Sequence, residues 1–150
     1  MIKRQPVPAD TIERIERLAE HLRRDGLVVA AYLFGSFARG NQGPLSDVDL
    51  ALLLDPAAGR EDLGRLTLEY VAEITRRLGT DEVSLVVLND APLTVRHEVV
   101  RTGRVLVDND PQSRLSFEAR TEDLYMDFEP TLAAYDDELL RKLTAPPDDR

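Results

Sequence analysis

A chain of 150 residues, 43% of them hydrophobic, is long enough to bury one core and too apolar to remain disordered. Its formal net charge of −9 argues against a sequence-independent DNA or RNA binder, because phosphate contact needs a basic surface. With no cysteine, disulfide frameworks and thiolate metal sites are excluded.

Taken in chain order, residues 10–25 read as an amphipathic helix, with Ile12, Ile15, Leu18, Ala19 and Leu22 at three- and four-residue steps. Asp10 is the expected N-cap and Gly26 the expected terminator. "LVVAAYLF" (27–34) and "DVDLALLLD" (47–55) are apolar runs of strand length. "SFAR" between them starts a short helix that ends at Gly40. Leu63 to Leu78 is helical and stops at Gly79, "EVSLVVL" (82–88) is a third strand, and Ala91 to Arg101 is a helix ending before Gly103. "RVLVD" (104–108) reads as a short strand or an extended lead-in.

From Pro111 onward the pattern is helical. Phe117, Leu124, Tyr125 and Phe128 form one stripe, and Leu132, Tyr135, Leu139 and Leu143 another. Pro130 is expected to start a new helix. These aromatics read as core or interface, since no basic surface accompanies them for stacking nucleic acid. Between Ser116 and Arg150 lie 10 acidic and 4 basic residues, a balance of −6 that would suit a basic partner.

No apolar run approaches the roughly 18 residues of a membrane span, and "MIKRQPVPADTIERIERL" lacks a signal peptide's apolar centre. A cytoplasmic protein without membrane contact is expected. The expected organisation is one domain over 1–150, with a core over about 10–110 and an acidic helical tail over about 111–145. Helices packed on a small, largely buried sheet make the class α/β (α+β).

Asp47 and Asp49 stand at the mouth of an apolar strand. Side chains at i and i+2 share a face, with Cα atoms about 6.5–7 Å apart. Two like charges there repel and are partly desolvated, so a cation is needed to offset the cost. All-oxygen donor sets suit Mg²⁺. An isolated pair has a plainer reading, in which one aspartate caps a helix or pairs with an arginine. This pair has a companion. Gly35-Ser36 directly follows the first strand, where a turn into a helix exposes backbone N–H groups and a hydroxyl that can cradle phosphate. A phosphate cradle beside a carboxylate pair serves phosphoryl or nucleotidyl transfer.

"GSFARG" followed by "SDVDLALLL" resembles the Gly-Ser … Asp-x-Asp signature of the DNA polymerase β-like nucleotidyltransferase superfamily. "VVLNDAP" (86–92), "HEVVRTGRVLVDND" (97–110) and "FEARTEDLYMDFEPTLAAYDDELLRKL" (117–143) extend the resemblance to its smallest members. Those are the minimal nucleotidyltransferase (MNT-domain) antitoxins that partner HEPN-type RNase toxins. The resemblance implies a small mixed β-sheet flanked by helices, with a C-terminal helical segment. It implies that Gly35 and Ser36 hold the β- and γ-phosphates of ATP, and that Asp47 and Asp49 bind Mg²⁺. The acceptor would be a tyrosine of the toxin, adenylylated within a hetero-oligomer. Arg39 either touches the triphosphate or is a surface arginine.

The resemblance also implies a third carboxylate on the next strand, where this chain has Ser84. Glu82, on the same face, is the possible substitute. Three readings stay open: a slow enzyme without its base, rescue by Glu82, or a member that silences its toxin by binding alone. A small-molecule nucleotidyltransferase is a further alternative, disfavoured because no residues are left for a substrate domain. His21 and His97, far apart in sequence, are not expected to hold a metal.

Overall fold

The computed structural model describes residues 10–40 and 47–144. Four strands form one sheet in the order β3-β2-β1-β4: β1 (Val28–Phe34), β2 (Val48–Leu54), β3 (Val83–Val87) and β4 (Arg104–Asp108). The β1 strand is antiparallel to both β2 and β4, whereas β3 runs parallel to β2. Helices α1 (Thr11–Arg23) and α3 (Leu63–Leu78) cover one face, and α4 (Leu93–Thr102) and α5 (Pro111–Thr144) the other. A five-residue helix, α2 (Gly35–Arg39), follows β1 directly. The result is the mixed α/β architecture expected, and "RVLVD" is a strand.

Two-sided burial explains why β1 and β2 read as continuous apolar runs rather than alternating ones. Ala31, Leu33, Leu50 and Leu52 pack with Ile15, Leu18 and Leu22 of α1 and with Ile74 and Leu78 of α3. Ala30, Tyr32, Ala51 and Leu53 pack on the opposite side with Val99 of α4 and Phe117 of α5. A register shift between Val28 and Ala30 puts the consecutive residues Val29 and Ala30 into the same cluster, as a bulge does.

Three local expectations are corrected. Asp10 makes no side-chain cap to α1; its carboxylate instead accepts from Arg14 Nε at 2.9 Å, which takes the acceptor a cap would use. Gly26 does not close α1, which ends at Arg24 in a right-handed conformation. Positive φ falls instead at Gly35, Gly40, Gly59 and Gly79. Pro130 does not divide the tail, because α5 runs unbroken from Pro111 to Thr144 with Pro130 inside it. Proline removes one helical N–H there, but this turn is exposed, so water can solvate the freed carbonyl.

The first half of α5 is fastened to the sheet by a polar chain. Tyr32, 1% exposed, donates its hydroxyl to Glu118 Oε1 at 2.8 Å. Arg114 donates to the same oxygen at 2.9 Å and to Asp108 Oδ2 at 3.0 Å. Burial first, then Glu118, pushes the Tyr32 phenol well above its usual value, so it remains a donor at any physiological pH. Helices α4 and α5 meet through His97, whose ring stacks flat on Tyr125 at 3.5 Å with Glu122 at 3.6 Å. His21 lies 3.3 Å from Glu73. Among the described residues neither histidine joins a group that could hold a metal, and no helix is long and apolar enough to cross a membrane.

Asn89 ties the β3–α4 connection to the end of β2 in the same economical way. Its side chain accepts from Leu54 N at 2.8 Å and donates to Leu54 O at 2.7 Å, completing a pairing that β3 itself does not reach.

Tyr32→Phe is expected to cost about 1 kcal/mol, the usual net worth of one hydrogen bond, read as a lower urea midpoint. An unchanged midpoint would show that the Tyr32–Glu118 bond does not help hold α5 to the sheet.

Candidate active site

The register of β1 and β2 assembles the site. Phe34, the last residue of β1, pairs with Asp49, so the Gly35-Ser36 turn that follows is delivered to that carboxylate. Gly35 has φ +71°, and a Cβ added there would stand 2.2 Å from Asp49 Oδ2. Both the backbone angle and the lack of space require glycine. Gly40, at φ +72°, ends α2 in the left-handed conformation, so the "GSFARG" run is bracketed by two glycines with positive φ. Phe37 is 8% exposed and anchors α2 in the main core.

Asp47 and Asp49 are both partly buried, while Val48 between them is fully buried and joins the opposite face. Desolvation first, and then the charge of Asp47, raise the proton affinity of Asp49 above the ordinary aspartate value; Arg39 acts in the opposite sense. These three residues therefore sense one another electrostatically. Arg39 itself is exposed at the end of α2.

On the other side of β2, Asp49 is directly in register with Ser84 of β3, which is exposed. Glu82 precedes β3, partly buried, and its carbonyl accepts from Val48 N at 3.0 Å. Among the described residues no three His, Asp or Glu side chains converge as a metal site. The carboxylates form a pair, with a hydroxyl beside Asp49.

A divalent cation fits that pair. The charge of Asp47 adds to the cost of ionising Asp49, and Asp49 makes no ion pair among the described residues. Asp47 and Asp49 would hold the ion.

The fold sets Gly35 against Asp49, brings Asp47 and Arg39 within electrostatic reach of it and puts Ser84 in register with it, with Ser36 next to Gly35 in α2. What the sequence motifs do not disclose is the support behind these residues. Tyr32, Arg114 and Glu118 form one network, but Tyr32 and Glu118 are 86 positions apart, and no spacing in the sequence signals such a pair.

Because Asp49 holds its proton more tightly in the folded chain than the ordinary 3.8, the folded state binds more protons than the unfolded one above that pH. Stability conferred by the protonated group is lost as pH rises through its raised value. Asp49→Asn is accordingly expected to raise Tm at pH 7 in metal-free buffer, with the gain fading towards pH 3.8. A lower Tm at pH 7 would contradict the repulsion. Gly35→Ala should cost roughly 1–3 kcal/mol of backbone strain plus the collision with Asp49, read as a lower Tm under the same conditions.

No curated protein matches the sequence. A crystal structure of a toxin–antitoxin complex with AMP-PNP contains a chain 27% identical, with a TM-score of 0.65, covering 83% of this chain and 98% of that one. A chain of the MntA–HepT toxin–antitoxin complex is 24% identical, with a TM-score of 0.65 and coverages of 86% and 98%. A chain from a complex of tri-AMPylated Shewanella oneidensis HEPN toxin with MNT antitoxin is 22% identical, with a TM-score of 0.62 and coverages of 87% and 98%. At those last two identities the likeness is one of fold. The family model for polymerase beta nucleotidyltransferases matches residues 16–112, more than half of the chain and a span that includes every residue of the site. The protein belongs to the polymerase beta nucleotidyltransferase family.

Proposed function

We propose that this chain is an Mg²⁺-dependent nucleotidyltransferase that transfers AMP from ATP to a HEPN-type toxin, as the antitoxin of a toxin–antitoxin pair. The observation that carries the reading is the close approach of Gly35 to Asp49, which sets the Gly-Ser turn directly against a carboxylate pair. The neighbours with bound AMP-PNP and with an AMPylated HEPN toxin support the nucleotide and the acceptor.

In this reading Asp47 and Asp49 hold Mg²⁺, which neutralises charge on the phosphates when bound. Gly35 admits the triphosphate close to the backbone, and Ser36 donates its N–H and hydroxyl to phosphate oxygens. Arg39 adds a positive charge on the same side, consistent with its pull on Asp49. The acceptor hydroxyl oxygen forms a bond to the α-phosphorus, the bond to the β-phosphate oxygen breaks, and pyrophosphate leaves with its electron pair. Ser84 offers no carboxylate to receive the hydroxyl proton, which passes to Glu82 or, without it, to solvent. A positioned base is typically worth about 10²–10⁴-fold in rate, so transfer is slow unless Glu82 serves as the base.

The partner reading has its own support. The second half of α5 turns an apolar stripe to solvent, with Tyr135 65%, Leu139 45% and Leu143 73% exposed. Acidic Asp127, Asp136, Asp137 and Glu138 accompany it on α5, a combination suited to a protein partner with apolar and basic surface. This one domain, with its core at about 10–110 and its helical tail beyond, acts in the cytoplasm. The second reading, an antitoxin that silences by binding alone, is favoured by Ser84 in the register position beside Asp49.

The deciding measurement is an intact-mass spectrum of the co-purified toxin after incubation with MgATP. Addition of whole AMP units by the parent, and none by the Asp47→Ala/Asp49→Ala double variant, is expected. An unmodified toxin in a tight complex would establish the binding-only reading. Ser84→Asp should raise the rate at least about tenfold if a base is all that is missing; no gain would mean that Glu82 already serves, or that the site has decayed.

A further inference from the structure

A pocket of about 430 Å³ opens on the α4–α5 side of the sheet, at the far end of β2 from the carboxylates. Val29, Leu53 and Phe117 give it an apolar floor, and Arg96 of α4 with Arg120 and Thr121 of α5 give it polar walls. Leu53 is four residues along β2 from Asp49, about 13 Å at the rise of a strand, and none of the active-site residues lines the pocket.

Two observations ask for a ligand. The first is unbalanced charge. No aspartate or glutamate lines the pocket, and among the described residues neither Arg96 nor Arg120 makes a side-chain hydrogen bond or ion pair. Nearby Arg114 shows the alternative, since it is clasped by Asp108 and Glu118. In a chain of net charge −9, two arginines facing one cavity without a carboxylate are a local exception that concentrates anions. The second is unmet hydrogen bonding. Arg96 Nε and Thr121 Oγ1 are sealed from solvent without a partner, and Thr121 is 1% exposed. Buried polar groups in folded proteins are nearly always satisfied.

We propose that this pocket binds a phosphate ester that carries a flat apolar group, of mononucleotide size, at a site separate from the transfer centre. Guanidinium forks match phosphate geometry with paired hydrogen bonds. Phe117 and the aliphatic floor receive the flat group. The volume falls in the range of small-ligand sites, about 300–1,000 Å³, and a bare phosphate would leave most of it empty. Because Arg96 belongs to α4 and Arg120 and Thr121 to α5, the bound ester fastens the long helix to the body of the domain. The site does not depend on the transfer reaction proposed above.

Isothermal titration of the full chain with AMP, in buffer containing EDTA, tests the site, with inorganic phosphate as the second probe. AMP is expected to bind, and Arg96→Gln and Arg120→Gln are each expected to weaken it at least about tenfold. Arg120 is exposed, so Arg120→Gln keeps the fold even if Arg96→Gln does not. The Asp47→Ala/Asp49→Ala variant should bind AMP as the parent does, which separates this site from the transfer centre. Thr121→Val should raise the Tm of the free protein, by removing an unsatisfied hydroxyl. The proposal is overturned if AMP does not bind, if both arginine variants bind it undiminished, or if phosphate binds as tightly as AMP.

Discussion

Everything at the site depends on one pairing, Phe34 of β1 opposite Asp49 of β2. It is an antiparallel contact at the centre of the sheet, between strands buried on both faces. A slip of one residue would turn Asp49 into the cluster under α1 and α3 and force Leu50 onto the face now packed by the smaller Ala30 and Ala51. The hydrophobic pattern therefore enforces the register, and the register carries Gly35 to within a missing Cβ of the carboxylate. Chemistry is positioned here by packing rather than by any bond between the functional groups themselves.

That arrangement works against stability. Two carboxylates at the edge of an apolar core repel, and the raised proton affinity of Asp49 is the local expression of the cost. The core opposes it with two continuous clusters, one on each face of the sheet. Glycines at positive φ bracket α2 on both sides. A strained, charged end on a rigid apolar platform is the expected form of a preorganised site, because a platform that relaxed would let the carboxylates separate.

Ser84 changes the chemistry without disturbing the architecture. It occupies the register position beside Asp49, where a carboxylate would add a third negative charge. A serine there adds no repulsion and offers no carboxylate as proton acceptor. The same economy of charge is absent at the other end of β2, where Arg96 and Arg120 face a cavity with no acid in it. The two ends of one strand thus carry opposite unbalanced charge, and α5 is anchored beside the positive end by Tyr32, Glu118 and Arg114.

Local features were legible in the chain itself. Gly79 after Leu78 ends α3 because only glycine adopts that left-handed angle cheaply, and the apolar runs of β1 and β2 exceed what a half-exposed strand would carry. The Gly-Ser turn and the alternate aspartates were visible as motifs, since their chemistry depends on spacing along a few residues. Other features required the fold. Whether Asp10 caps or pairs with Arg14, and whether Pro130 breaks a helix or rides within it, depended on competing partners and solvent exposure that a linear pattern does not record. The placement of Ser84 against Asp49, the reach of Glu118 to Tyr32, and the meeting of Arg96 with Arg120 join residues from separate elements. Local propensity determined the elements and the motifs; long-range packing alone decided which of their side chains meet.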